Sequence, residues 1–172
     1  TMAEYLNRQA NGADAAAIAT PDAAATVAAM QPLAEAQGLT VLEPAEAIDS
    51  NGFYVTKDFA EQNNLETLSD LGALGQELTI AAGDECLNPE RIYCGPGLME
   101  TYGLKIKGVT GDEFGSTSGK QKVIAGQAQL GLTGTTDGTL DGLGLVILED
   151  DKMLQAADNL VPIVNTESAG DA

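Results

Sequence analysis

The stretch Gln129–Asn165, QLGLTGTTDGTLDGLGLVILEDDKMLQAADNLVPIVN, decides the fold class. Its apolar runs at 130–132 and 143–148 have the length of strands and are bounded by glycine and aspartate, which is typical of buried strands in an α/β sheet. The polar turn 135–138, TTDG, follows the first run, at a place where open α/β sheets usually bind ligands. A third apolar run lies at 160–164. The stretch therefore predicts an α/β sheet with a candidate ligand-binding turn.

Strand and helix patterns alternate through most of the remaining chain. Apolar or alternating runs of strand length lie at 39–42, 52–56, 78–82 and 105–109, and segments with helical patterns separate most of them. This alternation predicts an α/β fold with a largely parallel, mixed sheet of about five strands that is flanked by helices.

The N-terminal segment is rich in alanine and predicts two helices, at 1–9 and 21–37, the second with Thr20 as its N-cap. Pro32 falls inside the second pattern and is expected to kink or split that helix, because proline removes a hydrogen bond and its ring clashes with the preceding turn. The sequence changes from alanine-rich helix to mixed α/β character at 43–50, which predicts a boundary there.

The composition excludes several classes of function. With 8 basic and 26 acidic residues the chain carries a net charge of −18, so it has no basic face for nucleic-acid phosphates. No apolar run approaches the ~18 residues that a transmembrane helix needs. Histidine is absent, which removes the commonest general base and the commonest metal ligand. The composition thus argues against an enzyme and against a metal site.

Cys86 and Cys94 are the two cysteines of the chain. Two thiols at this spacing make a poor metal site, and neither cysteine has a histidine to activate it as a nucleophile. A disulfide that closes a small loop suits an exported protein, and so does strong acidity. We therefore predict a Cys86–Cys94 disulfide; the alternatives are two free thiols, or a metal-binding or catalytic role.

The stretch 115–120, GSTSGK, superficially resembles a phosphate-binding loop. That loop requires a glycine where this chain has Phe114 and a hydroxyl residue where it has Gln121. We therefore interpret the stretch as an ordinary loop that leads into a helix capped by Ser116 or Ser118.

A second candidate ligand-binding segment is 49–54, DSNGFY. The amide of Asn51 offers both hydrogen-bond donors and an acceptor. Phe53 and Tyr54 point to opposite faces of a predicted strand, so one of them is expected in the core. A purely structural role for both rings is the alternative, because apolar residues in strands are usually buried.

Several stretches, taken together in their order, resemble the quaternary-amine class of substrate-binding proteins of ABC importers. These proteins bind glycine betaine, choline, carnitine or proline betaine. The stretches are GLTVLEPAEAIDSNGFYVTKDFAEQ (38–62), LETLSDL (65–71), GDECLNPERIYCGPGLMETYGL (83–104), QAQLGLTGTTDG (127–138), VILEDDK (146–152) and DNLVPIVN (158–165). The resemblance implies a lobe of the periplasmic-binding-protein type.

The resemblance also implies a ligand site. In such proteins aromatic rings surround the quaternary ammonium group, and polar groups near the cleft hold a carboxylate. The residues it assigns to the ligand are Asn51, Phe53, Thr135, Thr136 and Asp137. Many relatives carry a tyrosine just before the second motif, where this chain has Gly134. The glycine in place of a tyrosine indicates either that the ring of aromatic residues around the ammonium group is incomplete or that the pocket is shaped for another solute.

Proteins of this class have two lobes, the first built from both ends of the chain. The resemblance implies that residues 1–42 are a helical remnant of the first lobe, 43–165 are the second lobe with its hinge crossovers, and 166–172 are a polar tail. A ligand held between two lobes would lose half of its contacts in such a chain. We therefore expect the isolated chain to bind weakly or not at all.

Three hypotheses about function follow. The first is the solute-binding component of an ABC importer for a betaine- or choline-like osmolyte. It implies a membrane permease as partner, no cofactor, no catalytic residue, and an extracellular or cell-surface location with a lipid anchor in the full-length protein. The second is a lobe of the same fold for another small solute such as an amino acid, which Gly134 favours. The third is a small enzyme with Asp137 or Glu85 as base. The sequence shows no pair of a nucleophile and a base, which counts against this third hypothesis.

Overall fold

The computed structural model describes residues 1–156 and 158–169. The chain divides into two compact units, which we call the terminal unit (Thr1–Ser50 and Gln155–Ala172) and the inserted unit (Asn51–Leu154). In the sequence, the inserted unit is therefore one continuous segment, and the two segments of the terminal unit precede and follow it.

The described residues form seven α-helices, seven β-strands and two short 3₁₀ turns. The helices are α1 (Met2–Asn11), α2 (Ala23–Glu35), α3 (Lys57–Asn63), α4 (Leu68–Ala73), α5 (Gly95–Tyr102), α6 (Thr117–Ile124) and α7 (Thr166–Ala169). The strands are β1 (Leu39–Val41), β2 (Asn51–Thr56), β3 (Glu77–Ala81), β4 (Lys105–Val109), β5 (Leu130–Gly134), β6 (Leu145–Leu148) and β7 (Ile163–Asn165). The 3₁₀ turns are Asp84–Leu87 and Asp141–Leu143. None of the helices in this part of the chain has the length and apolar character that crossing a bilayer requires.

The boundaries between the two units fall after Ser50 and after Leu154. The reason is backbone pairing between distant parts of the chain. The Leu42 N–H donates to the Pro162 carbonyl at 3.0 Å, and the Ala45 N–H donates to the Leu160 carbonyl at 2.8 Å. These bonds attach both crossover segments to the terminal unit; the assignment of lobes itself stays a prediction.

The terminal unit packs α1 and α2 against a two-stranded antiparallel sheet of β1 and β7. Leu39 lies opposite Asn165, and Val41 lies opposite Ile163. The small core of this unit consists of Ala3, Leu6, Met30, Ala34 and Val41.

Helix α2 differs from its prediction in its cap, and it continues through Pro32. Asp22 rather than Thr20 caps it, because the Asp22 carboxylate accepts from the Ala25 N–H at 3.1 Å. Pro32 lies inside the helix and does not split it. The proline is in the last turn, so the hydrogen bond that it removes is one of the last in the helix, which ends at Glu35.

The inserted unit is built on a five-stranded mixed sheet with the order β4-β3-β5-β2-β6. β3 pairs in parallel with β4 and β5, whereas β2 pairs antiparallel with β5 and β6. The strand number and the mixed, helix-flanked α/β architecture confirm the predicted fold class. Of the four strand pairings in this sheet, only two are parallel, because β2 is antiparallel to both of its neighbours.

Each face of this sheet carries its own core. On one face Phe53 and Val55 pack in the larger cluster, which includes residues of α3, α4 and α5. On the other face Tyr54 packs with Val123 of α6 and Leu145 of β6. The alternation along β2 thus fills two cores, as expected for a strand with both faces covered.

Cys86 and Cys94 form a disulfide, as predicted. Both cysteines are buried in the larger core of the inserted unit. The disulfide closes the loop that connects the 3₁₀ turn after β3 to the start of α5. This loop packs directly on the helix: a Cβ added to Gly97 would lie 1.9 Å from the Ile92 carbonyl oxygen. The bond therefore fixes the entry of α5 against the core.

Candidate functional site

The candidate site lies where β2 begins and β5 ends. Because the two strands are antiparallel, Asn51 lies opposite Gly134, and Gly52 lies opposite Thr133. The turn that carries Thr135 and Thr136 follows immediately. The fold therefore brings together the two motifs that the sequence separates, and we call this place the β2/β5 junction.

The exposed part of the junction consists of polar side chains over a tight backbone contact. Thr135 and Thr136 are exposed, and Asn51 is half-buried. A Cβ added to Gly52 would lie 3.4 Å from the Thr135 Cγ2 and 3.1 Å from the Ile147 Cδ1. Gly52 thus allows the threonine to lie close to the start of β2.

Phe53 and Tyr54 are both buried, each with 1% of its surface exposed. Phe53 lies opposite Leu132 and Leu148 in the sheet, within the larger core cluster. The structure thus places Phe53 beneath the junction, and its contact with a ligand stays a prediction. Burial, followed by the nearby carboxylates of Asp137 and Asp112, raises the pKa of Tyr54 to about 12.

Asp137 is held by a network of hydrogen bonds inside the junction. Its Oδ2 accepts from the Thr133 hydroxyl at 2.7 Å and lies 2.5 Å from the Lys120 Nζ. Its Oδ1 accepts from the Thr139 hydroxyl at 2.6 Å and from the Thr139 N–H at 3.1 Å. The Lys120 Nζ also donates to the Thr139 hydroxyl at 2.9 Å. Both carboxylate oxygens are therefore engaged by the protein itself.

This network makes Asp137 a poor general base. Burial opposes its ionisation, but hydrogen bonds from Lys120, Thr139 and Thr133 outweigh burial and hold the pKa of the carboxyl well below its ordinary value. A carboxylate with so low a pKa takes up a proton poorly near neutral pH. Glu85, the other base considered, is exposed in the 3₁₀ turn Asp84–Leu87, and it takes no part in the hydrogen bonds described for Asp137. The geometry gives the enzyme hypothesis no support.

A second buried carboxylate, Asp112, fixes the loop before α6. Its Oδ2 lies 2.8 Å from the Lys122 Nζ and also accepts from the Thr110 hydroxyl. These hydrogen bonds lower the pKa of Asp112 to about 2. Its N–H donates to the Ala82 carbonyl at 3.1 Å, just beyond the end of β3. Within residues 1–156 and 158–169, no three acidic or cysteine side chains are arranged to hold a metal ion.

Helix α6 supplies both lysines, and the sequence analysis missed Lys120. Ser116 caps the helix by accepting from the Gly119 N–H at 3.2 Å, which confirms the interpretation of GSTSGK as a loop and cap. The Lys120 side chain is only 8% exposed. Lys120 lies three residues before the buried Val123, and residues three apart share one face of a helix. This spacing was the signal that could have placed Lys120 on the inner face of α6.

The sequence model of one protein family, described as the substrate binding domain of ABC-type glycine betaine transport systems, matches residues 2–172. The chain belongs to this family. The family is one of transport proteins and not of enzymes, and the substrate-binding proteins of ABC importers work outside the cytoplasm. A comparison of the substrate-binding domain with curated proteins found no match.

Solved structures show the same fold. Apo YehZ from Escherichia coli superposes with a TM-score of 0.67 and 23% identity, over 96% of this chain and 61% of YehZ. A glycine betaine/carnitine/choline ABC transporter structure superposes with a TM-score of 0.72 and 22% identity, over 95% of this chain and 58% of the other. The chain thus spans about three fifths of the length of both structures. The likeness confirms the predicted periplasmic-binding-protein-like architecture.

Proposed function

We propose that the substrate-binding domain binds a small quaternary ammonium solute, of the glycine betaine or choline type, for an ABC importer. The match of the family over residues 2–172 carries the proposal. The β2/β5 junction supports it, because the junction gathers amide and hydroxyl groups at a sheet edge with no catalytic arrangement beside them. The net charge of −18 adds a field that attracts cations.

Within this proposal the five assigned residues have two kinds of role. Asn51, Thr135 and Thr136 contact the polar end of the solute, since their side chains lie at the surface of the junction. Phe53 and Asp137 act from beneath: Phe53 packs under the start of β2, and Asp137 holds the threonine turn in place.

The proposal includes the partner and the location. The partner protein is the membrane permease of the importer, and the location is extracellular or at the cell surface, with a lipid anchor in the full-length protein. The inserted unit forms most of the second lobe proposed for 43–165, and residues 1–42 belong to the first lobe. A site between two lobes would then leave this chain with half of its contacts and a weak affinity.

A second candidate is binding of another small solute, such as an amino acid, by the same junction. The observation that favours it is Gly134, which lies opposite Asn51 and brings no aromatic ring to the site. A solute without a quaternary ammonium group has less need of such a ring.

The test is a titration of the ¹⁵N-labelled chain, followed by two-dimensional NMR, with glycine betaine, choline, carnitine and proline. We expect weak binding of a quaternary amine, with shifts that centre on Asn51 and the turn 135–137. If proline alone causes shifts, the quaternary ammonium candidate is wrong and the amino-acid candidate takes its place. Silence with all four solutes calls for the same titration on a chain extended at both ends, and silence of the extended chain would overturn both candidates.

The matched variants are Thr135→Ala with Thr136→Ala at the junction and Thr101→Ala on α5. The double variant is expected to lose the shifts, because it removes two hydroxyl groups from the surface of the site. Thr101→Ala should bind like the unaltered chain. Equal binding by all variants would show that the solute lies elsewhere.

A further inference from the structure

The sheet of the inserted unit has two outer edges, and they differ in how they are protected. On β4 the edge carries the exposed Lys105 and Lys107, and the pairing of β4 with β3 is irregular between Leu78 and Thr79. Charged side chains and bulges of this kind discourage a further strand from pairing with an edge. The other edge strand, β6, has the sequence LVIL (145–148), with no charged residue, and it pairs with β2 in a regular register. The β6 edge therefore lacks both of these protective features.

The backbone of β6 is open at Ile147. The Glu149 N–H donates to the Glu66 carbonyl at 2.9 Å, and the Glu149 carbonyl accepts from the Leu68 N–H at 2.9 Å, so both groups of Glu149 point away from β2. Every second residue of a strand directs its backbone groups to the same side, so those of Ile147 point to this edge as well. A continued ladder would direct the Glu66 N–H at the Ile147 carbonyl, but this N–H donates to the Asp70 Oδ2 at 3.1 Å instead. Ile147 thus offers a donor and an acceptor at the edge.

A cleft of about 530 Å³ lies directly beside this edge. Its apolar lining consists of Ala60, Leu65 and Val146, which are buried or half-buried, and Val146 directly precedes Ile147. Sheet edges bind extended peptides through such an arrangement, because the open backbone groups supply hydrogen bonds and a neighbouring pocket receives a side chain.

The polar lining of the cleft is negatively charged. Glu61 and Glu66 line it, are exposed, and form no ion pair with a basic side chain in the part of the chain that the structure describes. Lys57 also lines the cleft, but its ammonium group is bound to the Asp141 carboxylate. The side chain that suits this cleft is therefore long and basic, since its stem can pack on the apolar lining while its charged head reaches the two glutamates.

We propose that the outer edge of β6 binds a short extended segment of a partner protein, which pairs with Ile147 and inserts a lysine or arginine side chain into the cleft. The surface uses none of the residues assigned to the solute, so this inference does not depend on the proposed function. Charge favours a basic partner over a second copy of this chain, because two copies that each carry a net charge of −18 repel one another.

The probe is the end-blocked peptide Thr-Val-Thr-Arg-Thr-Val-Thr, titrated into the ¹⁵N-labelled chain and followed by two-dimensional NMR. Its threonine and valine residues favour an extended conformation. We expect shifts at Ile147 and at 64–67, and none on β4. The same peptide with glutamate in place of arginine should bind about tenfold more weakly or less, because it brings a like charge to Glu61 and Glu66.

Glu61→Gln combined with Glu66→Gln should weaken binding of the arginine peptide about fivefold, the loss expected for two exposed ion pairs. The matched control is Glu90→Gln combined with Glu100→Gln, which removes two exposed carboxylates of the same unit and should leave the affinity unchanged. A peptide with glutamine in place of arginine should bind the unaltered chain and both double variants alike, because it carries no charge for the carboxylates to attract. Thermal unfolding checks that each variant is folded.

Equal weakening by the two double variants would show an effect of net charge alone and overturn the role of the cleft. Equal binding of the arginine and glutamate peptides, shifts confined to other surfaces, or no shifts at millimolar arginine peptide would overturn the proposal. Sedimentation of the chain without peptide tests the other occupant. Dimers that form with rising concentration and shift the Ile147 signal would assign the edge to a second copy and overturn the basic partner. None of these measurements uses the solute, so a failure here leaves the proposed function intact.

Discussion

Asp137 joins three parts of the inserted unit through one carboxylate. One oxygen holds Thr139 in the turn, and the other reaches Thr133 on β5 and Lys120 on α6. The exposed Thr135 and Thr136 lie between two of these attachment points. Their positions therefore depend on groups that a solute would not touch.

Asp137→Ala is expected to destabilise the chain by about 3 kcal/mol, because it leaves the Lys120 ammonium group buried without its partner. Urea unfolding gives the change in the free energy of unfolding. Asp141→Ala is the control, since it removes an exposed partner of Lys57 and should leave the urea midpoint unchanged. Equal effects of the two substitutions would contradict the importance of burial at Asp137.

Asp112 predicts a stability change in acid. The folded pKa of about 2 lies below the ordinary 3.8, so the ionised carboxylate contributes stability above about pH 4. That contribution is lost as the pH falls from about 4 to about 2. The free energy of unfolding should therefore exceed that of Asp112→Asn near neutral pH, and the difference should shrink across this range. A difference that is constant with pH would rule out this linkage.

The sequence analysis named Asn51 and the turn 135–137 as ligand residues, which stays a prediction, and it missed the buried Lys120 beside that turn. Lys120 was missed because a lysine in a helix is ordinarily solvated, and only its partner Asp137 explains its burial. The pairing of Asn51 with Gly134 is a tertiary fact that no local pattern contains.

At the scale of elements, the strands were predicted to within a few residues, and their directions were not. β2 runs against β5 and β6, although alternation of strands and helices suggested a largely parallel sheet. Hydrophobic periodicity reports which residues are buried and carries no information on direction. The direction of β2 matters most, because it places Asn51 beside the end of β5.

The contact between Tyr54 and Gly131 shows how tightly β2 and β5 pack. The two residues are opposite each other, and a Cβ on Gly131 would lie 2.1 Å from the Tyr54 Cζ. Gly131→Ala should therefore destabilise the chain by roughly 2–3 kcal/mol or prevent folding. Gly138→Ala, which would meet nothing within 4 Å, is the control. Thermal unfolding measures both, and similar midpoints would contradict the packing.

Helix caps illustrate the same limit of local prediction. Thr67 caps α4 in a capping box with Asp70, and Ser69, two residues later, also carries a hydroxyl. Thr67 and Ser69 each have a hydroxyl that could cap the helix. Which of them does so depends on where the chain turns after the hydrogen bond from the Leu68 N–H to the Glu149 carbonyl. Local sequence names the candidates, and the tertiary bond selects one.

At the scale of the whole molecule, the chain carries 26 acidic and only 8 basic residues. Their mutual repulsion opposes the compact state, and salt screens it. Raising NaCl from about 0.02 M to about 0.5 M near neutral pH should therefore raise the thermal midpoint by roughly 2–4 °C, as about 1 kcal/mol would in a chain of this size. Near pH 4.1, where the net charge vanishes, the same salt should have little effect. A fall in the midpoint near neutral pH would contradict this balance.

The insertion of one unit into the other has a mechanical consequence. Both ends of the chain belong to the terminal unit, and β1 and β7 pair antiparallel with Leu39 opposite Asn165. A pull on residues 1 and 169 loads α1, α2 and this pair of strands, and the hydrogen bonds of the pair open one after another. The inserted unit bears no tension until this pair and the bonds of Leu42 and Ala45 to the segment 160–162 have separated. Under force the terminal unit therefore gives way before the inserted unit, whichever of them is more stable at rest.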